Sequence, residues 1–170
     1  MHRRLFLSMS SALALAACIE QPQLHLGTDG KPVPKLYRIA EGDTATIQYR
    51  MLDSVNKLRS VAAIAPLSLN PLLNAAAATH ARDMAAQNRP WHFGSDGSSP
   101  LDRVRRVGYA GQMKGENISE TFENEVETLS AWMAQTDTRA VIMDPEARDL
   151  GFAWYQEPSG KIWWTLLTGG

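Results

Sequence analysis

The strongest constraint on the fold lies near the end of the chain. There "LGFAWY" (150–155) alternates, "QEPSG" (156–160) turns, and "KIWWTLLT" (161–168) returns. Two short runs rich in aromatic and branched residues around a Pro-Ser-Gly turn predict a β-hairpin. Upstream of it the apolar residues recur at helical rather than strand spacing. Helices first and strands last predict an α+β domain, with helices packed on a small antiparallel sheet.

The helices can be placed from their punctuation. Thr44 is the expected cap of a first helix carrying Ile47, Met51, Val55 and Leu58 on one face. A second begins at Asn70-Pro71, with the asparagine as cap and the proline at the first helical position. It aligns Leu73, Ala77, His80 and Met84 and stops near Asn88. Ser99-Pro100-Leu101-Asp102 opens a third, shorter helix that ends at Gly108. "YAGQMKGENIS" reads as a loop, followed by a helix with Phe122, Val126, Leu129, Trp132 and Met133 inward. Glu123, Glu125 and Glu127 read as its solvated face. Short strands are expected near Trp91–Phe93 and Asn117–Ser119. There is no internal repeat and no glycine-rich phosphate loop.

The N-terminus carries a different message. "MHRR" is basic, and "LFLSMSSALALAA" is an apolar run of signal-peptide length, shorter than the roughly 20 residues that span a bilayer. It ends "LAAC", which resembles a bacterial lipobox and predicts residues 1–17 as a cleaved signal and Cys18 as the lipid-modified first residue. Cys18 is the only cysteine, so the domain must hold by packing without an internal disulfide. Residues 18–43, rich in proline and glycine, read as a tether with order expected only near Leu36–Ile39. Ile19, rather than aspartate, follows the cysteine and favours the outer membrane, facing the periplasm, in a two-membraned host. Loss of Arg3 and Arg4 with the signal takes the formal charge from −1 to about −3. With no basic block, nucleic-acid binding has no electrostatic footprint.

Two histidines draw attention. His80 falls on the buried stripe of its helix with no acid one turn away, and reads as a core residue bonded to neighbouring backbone. His92 sits in "WHFGSDGSSP", beside aromatics and before a turn. Its partners emerge from the order of motifs. "LNPLLNAAAATHARDMA", "HFGSDGSSPLDRVRRVGY", "GENI", "AWM" and a closing strand pair resemble the bacterial branch of the CAP superfamily of cysteine-rich secretory, antigen 5 and pathogenesis-related proteins. The resemblance covers about residues 44–168 and implies a three-layer α-β-α sandwich with a central antiparallel sheet. The family's cleft commonly carries two histidines and two acids, which hold a divalent metal in some members. His92 matches the first histidine and Glu116 of "GENI" the first acid. The second acid falls on Gln135 and the second histidine on Thr138, so half of that set has lost its chemistry.

Two ligands are too few for a zinc site, which generally takes three from the protein. Asp137 supplies a third only if its loop swings inward. The expectation is therefore a cell-envelope lipoprotein without cofactor, binding a small molecule, lipid or protein through a cleft formed by His92, Glu116, Gln135 and Thr138. One alternative is a hydrolase in which Glu116 orients His92, with or without a divalent metal at that pair, and Ser95, Ser98 or Ser99 is the nucleophile. The other is a structural scaffold whose cleft residues only stabilise the fold.

Overall fold

The computed structural model describes residues 36–170. The expected signal peptide, Cys18 and the tether as far as residue 35 lie outside the described residues. Local chemistry explains most helix ends. In α2 (Pro71–Gln87) the Asn70 side chain accepts the N–H groups of Leu72 and Leu73 at 3.0 and 3.3 Å, and Asn88 ends the helix in the left-handed region at φ 48°. In α3 (Pro100–Arg106) Ser99 and Asp102 form a reciprocal capping box. The same device, from Asn124 and Glu127, starts α4 (Glu125–Ala134). In α1 (Thr44–Val61) the cap position falls to Asp43 instead of Thr44. Its carboxylate accepts the Ala40 N–H and caps no helix N–H.

Four strands form one sheet: β1 (Ser68–Leu69), β2 (Met113–Thr121), β3 (Asp149–Gln156) and β4 (Ile162–Gly169), in the order β1-β3-β4-β2. The hairpin β3–β4 pairs Asp149 with Gly169 through Gln156 with Ile162, and β2 pairs antiparallel along the other edge of β4. β1 adds two residues parallel to β3. A short α5 (Thr136–Ile142) follows α4. The expected strand at Trp91–Phe93 is absent. "MKGENISET", which reads as mostly loop in the sequence, is nine residues of strand, held in register by β4.

Strand alternation divides the core between two helical layers. From β4, Ile162, Trp164 and Leu166 meet Ile47, Met51 and Val55 of α1, Leu129 and Trp132 of α4, and Ile142 of α5. Trp163 meets Ala81 and Met84 of α2, while Leu167 joins Leu73, Ala76 and Ala77 of α2 and Val104 of α3. Phe152 stacks on Trp164, centroids 5.3 Å apart. Gly151 lets α2 lie directly on the sheet, because a Cβ there would strike the backbone of Leu73. The result is the three-layer α-β-α sandwich, with β4 buried throughout.

Several inward faces differ from the sequence pattern, each time because a distant group supplies a partner. In α1 it is Arg59, rather than Leu58, that is fully buried. Its guanidinium donates to the carbonyls of Ala65, Ile142, Asp144 and Ala147, joining α1 to the end of α5. Phe122, expected in the fourth helix, precedes α4 and is exposed, as is Val126, while Glu125, expected on the solvated face, is fully buried. Glu125 receives Arg50 at 2.6 Å and the Tyr37 hydroxyl at 3.0 Å. Burial, reinforced by that carboxylate, pushes the Tyr37 hydroxyl up to about 12. The stretch Leu36–Ile39 is thereby fastened to the domain, with Gln156 bonding both Ile39 N–H and Tyr37 carbonyl.

Candidate functional site

The site is built on a segment without regular structure. After α2 ends, residues 91–93 double back along the helix, and three successive carbonyls are each held by a side chain. His80 Nε2–H donates to Trp91 O at 3.0 Å, Arg103 Nη1 to His92 O at 2.9 Å, and Gln87 Nε2 to Phe93 O at 3.3 Å. Trp91 is pinned further by its indole N–H on Gln87 and by Arg89, whose guanidinium lies 3.8 Å from the ring centroid. This loop presents its side chains from a fixed backbone.

His92 and Glu116 meet. The carboxylate arrives from β2, on the strand face that turns toward α2 and α3, and Glu116 Oε1 accepts from His92 Nδ1 at 2.8 Å. A carboxylate can only accept, so the shared hydrogen is on His92 Nδ1, and Nε2 has no hydrogen-bond partner among the described residues. Glu116 Oε2 accepts from Arg103 Nη2 at 2.7 Å. The exposures are graded: the Glu116 and Arg103 side chains are 2% and 4% exposed and that of His92 is 51%. A buried carboxylate neutralised by a buried guanidinium therefore holds a half-exposed histidine. Arg103 has no sequence signature; it is one of three arginines in "LDRVRR", and only the turn of α3 brings it to β2.

His80 lies beneath this pair, fully buried, with its backbone bond to Trp91 as expected of a core histidine. The sheet nevertheless places Glu116 Oε1 3.8 Å from its Nε2, a neighbour that the helix alone could not reveal. Burial is the largest influence and lowers its pKa below the usual 6.5, outweighing the pull of Glu116. Nδ1 has no partner. A folded pKa below the unfolded one means the unfolded chain takes up protons first. The stability linked to His80 is thus fully present above about pH 6.5 and lost as pH falls through the folded value. In urea unfolding between about pH 7 and pH 5, His80→Gln should flatten the acid-side decline of the wild type. An unchanged slope would mean that His80 already titrates as it does in the unfolded chain.

The other expected cleft residues are placed elsewhere. Gln135 and Thr138 sit at the α4–α5 junction. The Thr138 hydroxyl donates to Trp132 O at 2.6 Å, and its carbonyl accepts from Asn117 at 2.8 Å. Asn117 follows Glu116 on β2 and points to the opposite sheet face. Among the described residues no hydrogen bond joins Gln135, Thr138 or Asp137 to His92 or Glu116. The candidate serines are engaged locally: Ser99 Oγ bonds Asp102, Ser98 is buried at the turn, and Ser95 N–H bonds Asp83. None bonds His92.

With this geometry, comparison with known proteins is informative. The sequence model of the CAP, cysteine-rich secretory protein, family matches residues 52–167. YkwD of Bacillus subtilis is 25% identical over 130 residues, 76% of this chain and 50% of that protein. The chain thus spans about half the length of the curated relative it matches. An extracellular protein containing an SCP domain from Bacillus anthracis superposes with a TM-score of 0.66 at 22% identity, covering 74% of this chain and 40% of that one. An outer surface protein of Borrelia burgdorferi gives 0.64 at 14% identity, covering 79% and 98%. The structural likenesses speak for the fold, and the family match spans β1 through nearly all of β4, including both His92 and Glu116. The chain belongs to the cysteine-rich secretory protein (CAP) family.

Proposed function

We propose that this chain is a lipid-anchored protein of the cell envelope whose CAP domain binds a ligand or protein partner at the His92 surface without catalysing a reaction. The observation that carries this reading is the graded chain Arg103–Glu116–His92. Its inner members are sealed and its outer member is held open with Nε2 unused. A purely structural triad would bury the histidine as well. Fixing the imidazole in advance lowers the ordering cost of binding. Phe93, exposed beside it, and Trp91 add apolar contact.

This reading includes no metal. Both Glu116 oxygens already accept charge-assisted or imidazole bonds, and a cation there would face the permanent charge of Arg103. Among the described residues, no three His, Cys, Asp or Glu side chains are grouped to hold an ion. The hydrolase reading keeps one supporting feature, the carboxylate-oriented imidazole, and lacks a nucleophile in hydrogen-bond reach of it. Anchoring rests on the "LAAC" motif, and envelope placement is supported by the extracellular Bacillus anthracis protein and the outer surface protein of Borrelia burgdorferi.

Membrane fractionation tests the anchor. Wild type should sediment with membranes and carry lipid, whereas Cys18→Ser should be soluble or remain an unprocessed precursor. Soluble wild type without lipid would overturn the anchor. The binding surface is tested by melting shifts with envelope lipids, peptides and zinc. Some organic ligand should stabilise wild type but not His92→Ala, and zinc should leave both unchanged. A zinc shift abolished by His92→Ala would instead identify a metal site.

A further inference from the structure

A second concavity lies behind the His92 surface and shares only Arg103 with it. It is a part-open cavity of about 330 Å³ between α2, the 95–98 turn and the inner side of α3, within the roughly 300–1,000 Å³ usual for small-molecule sites. Ala76 and Val107 form an apolar portion of its wall, and the remaining lining is polar. Neither His92 nor Glu116 lines it.

The lining brings opposite charges and unused hydrogen-bonding capacity into one small space. Arg106 is paired with Asp96 and Arg103 with Glu116, so Asp83 is the lining carboxylate without an ion-pair partner among the described residues. Asp83 accepts from Ser95 N–H at 2.7 Å and Gln87 Nε2 at 3.1 Å, both on Oδ2, and Oδ1 accepts nothing among the described residues. Arg106 gives one N–H to Asp96 and keeps the others. Arg103 is committed to Glu116 and two carbonyls through its terminal nitrogens.

We propose that this cavity is a binding site for a neutral polyhydroxylated ring, a single saccharide unit, distinct from the His92 surface. A hydroxyl both donates and accepts, so adjacent hydroxyls satisfy Asp83 Oδ1 and the remaining N–H groups of Arg106 together. An ammonium would meet Arg106, and a carboxylate would meet Asp83 and Asp96; neither gains what a neutral polyol gains. The apolar wall suits the C–H face of such a ring. The loop makes the space available because Gly94 lacks a Cβ, which would collide with the Ser98 hydroxyl and the Asp96 carboxylate. The Asp96 carboxylate stays ionised, held below its usual range by hydrogen bonds from the Ser98 hydroxyl and N–H and from Arg106.

The test is an amide NMR titration of the full-length protein with glucose and N-acetylglucosamine, and separately with lysine and acetate. At least one saccharide should give saturable shifts at Thr79, Ser95, Asp96 and Val107, with a dissociation constant on the order of millimolar. Thr79→Phe, which fills the cavity from the exposed side of α2, should weaken binding at least tenfold. Asp83→Asn, which keeps the shape of the side chain, should weaken it severalfold. The proposal is overturned if neither saccharide shifts these amides in folded protein, if lysine or acetate shifts them instead, or if both variants bind as wild type does.

Discussion

Arg103→Met should lower stability by about 3–5 kcal/mol, the usual cost of stranding one member of a buried ion pair. The substitution leaves the Glu116 carboxylate, 2% exposed, without its cation. It also frees the carbonyls of His92 and Ser98, which Arg103 holds at 2.9 and 3.2 Å. At roughly 4 °C per kcal/mol for a domain of this size, the melting temperature should fall by about 12–20 °C. Arg103→Met with Glu116→Gln should recover a large part of the loss, since the uncompensated charge disappears. A double-mutant cycle in urea isolates that coupling. If Arg103→Met costs less than about 1 kcal/mol, the pair is solvated in solution and the clamp on His92 is not formed.

Arg59→Met should be comparably severe, on the order of 4 kcal/mol, and for a different reason. Among the described residues Arg59 has no carboxylate within ion-pair distance. Its guanidinium donates to four carbonyls, at Ala65, Ile142, Asp144 and Ala147, over distances of 2.8 to 3.2 Å. Burial, and then Arg148 nearby, lower its pKa from the usual arginine value, while the charge of Asp144 opposes that shift. Methionine fills much of the volume but makes none of these bonds, leaving carbonyls buried and unsatisfied. Arg59→Lys should be only a partial rescue, because an ammonium has three donors and no planar fork. Equilibrium urea unfolding measures both. The Arg59 and Arg103 losses should add, since the two residues share no partner. A loss from Arg59→Met below about 1 kcal/mol would show that water already satisfies these carbonyls.

The two arginines also mark where the sequence stops being legible. Elements whose ends are set by neighbouring residues can be read directly. Asn70-Pro71 and Asn88 bound α2, Ser99 and Asp102 start α3, and "QEPSG" closes the β3–β4 hairpin. β2 escapes because "MKGENISET" has no apolar alternation; its strand form comes from the bonds and register that β4 provides. α5 and the two-residue β1 are too short to show a period. Charged burial is equally invisible, because Arg59 and Glu125 lie on helix faces whose partners come from other parts of the chain. The site divides along the same line. Motif order picked out His92 and Glu116, but the contributions of Arg103 and His80 follow from α2, α3 and β2 packing together. Gln135 and Thr138 show the converse: motif order supplies the positions, but the acid and histidine are replaced there, and among the described residues neither side chain bonds His92 or Glu116.

In the proposed function Glu116, fixed by Arg103, holds His92 by its Nδ1 side so that Nε2 accepts from a ligand. Side-chain nitrogen NMR of His92 at about pH 8, where an ordinary histidine is neutral, tests it most directly. The account predicts the proton on Nδ1 and a bare Nε2 in wild type. That preference should weaken in Glu116→Gln, whose amide is a poorer acceptor, with the fold intact. A proton found on Nε2 in the wild type, or a tautomer indifferent to Glu116→Gln, would contradict it.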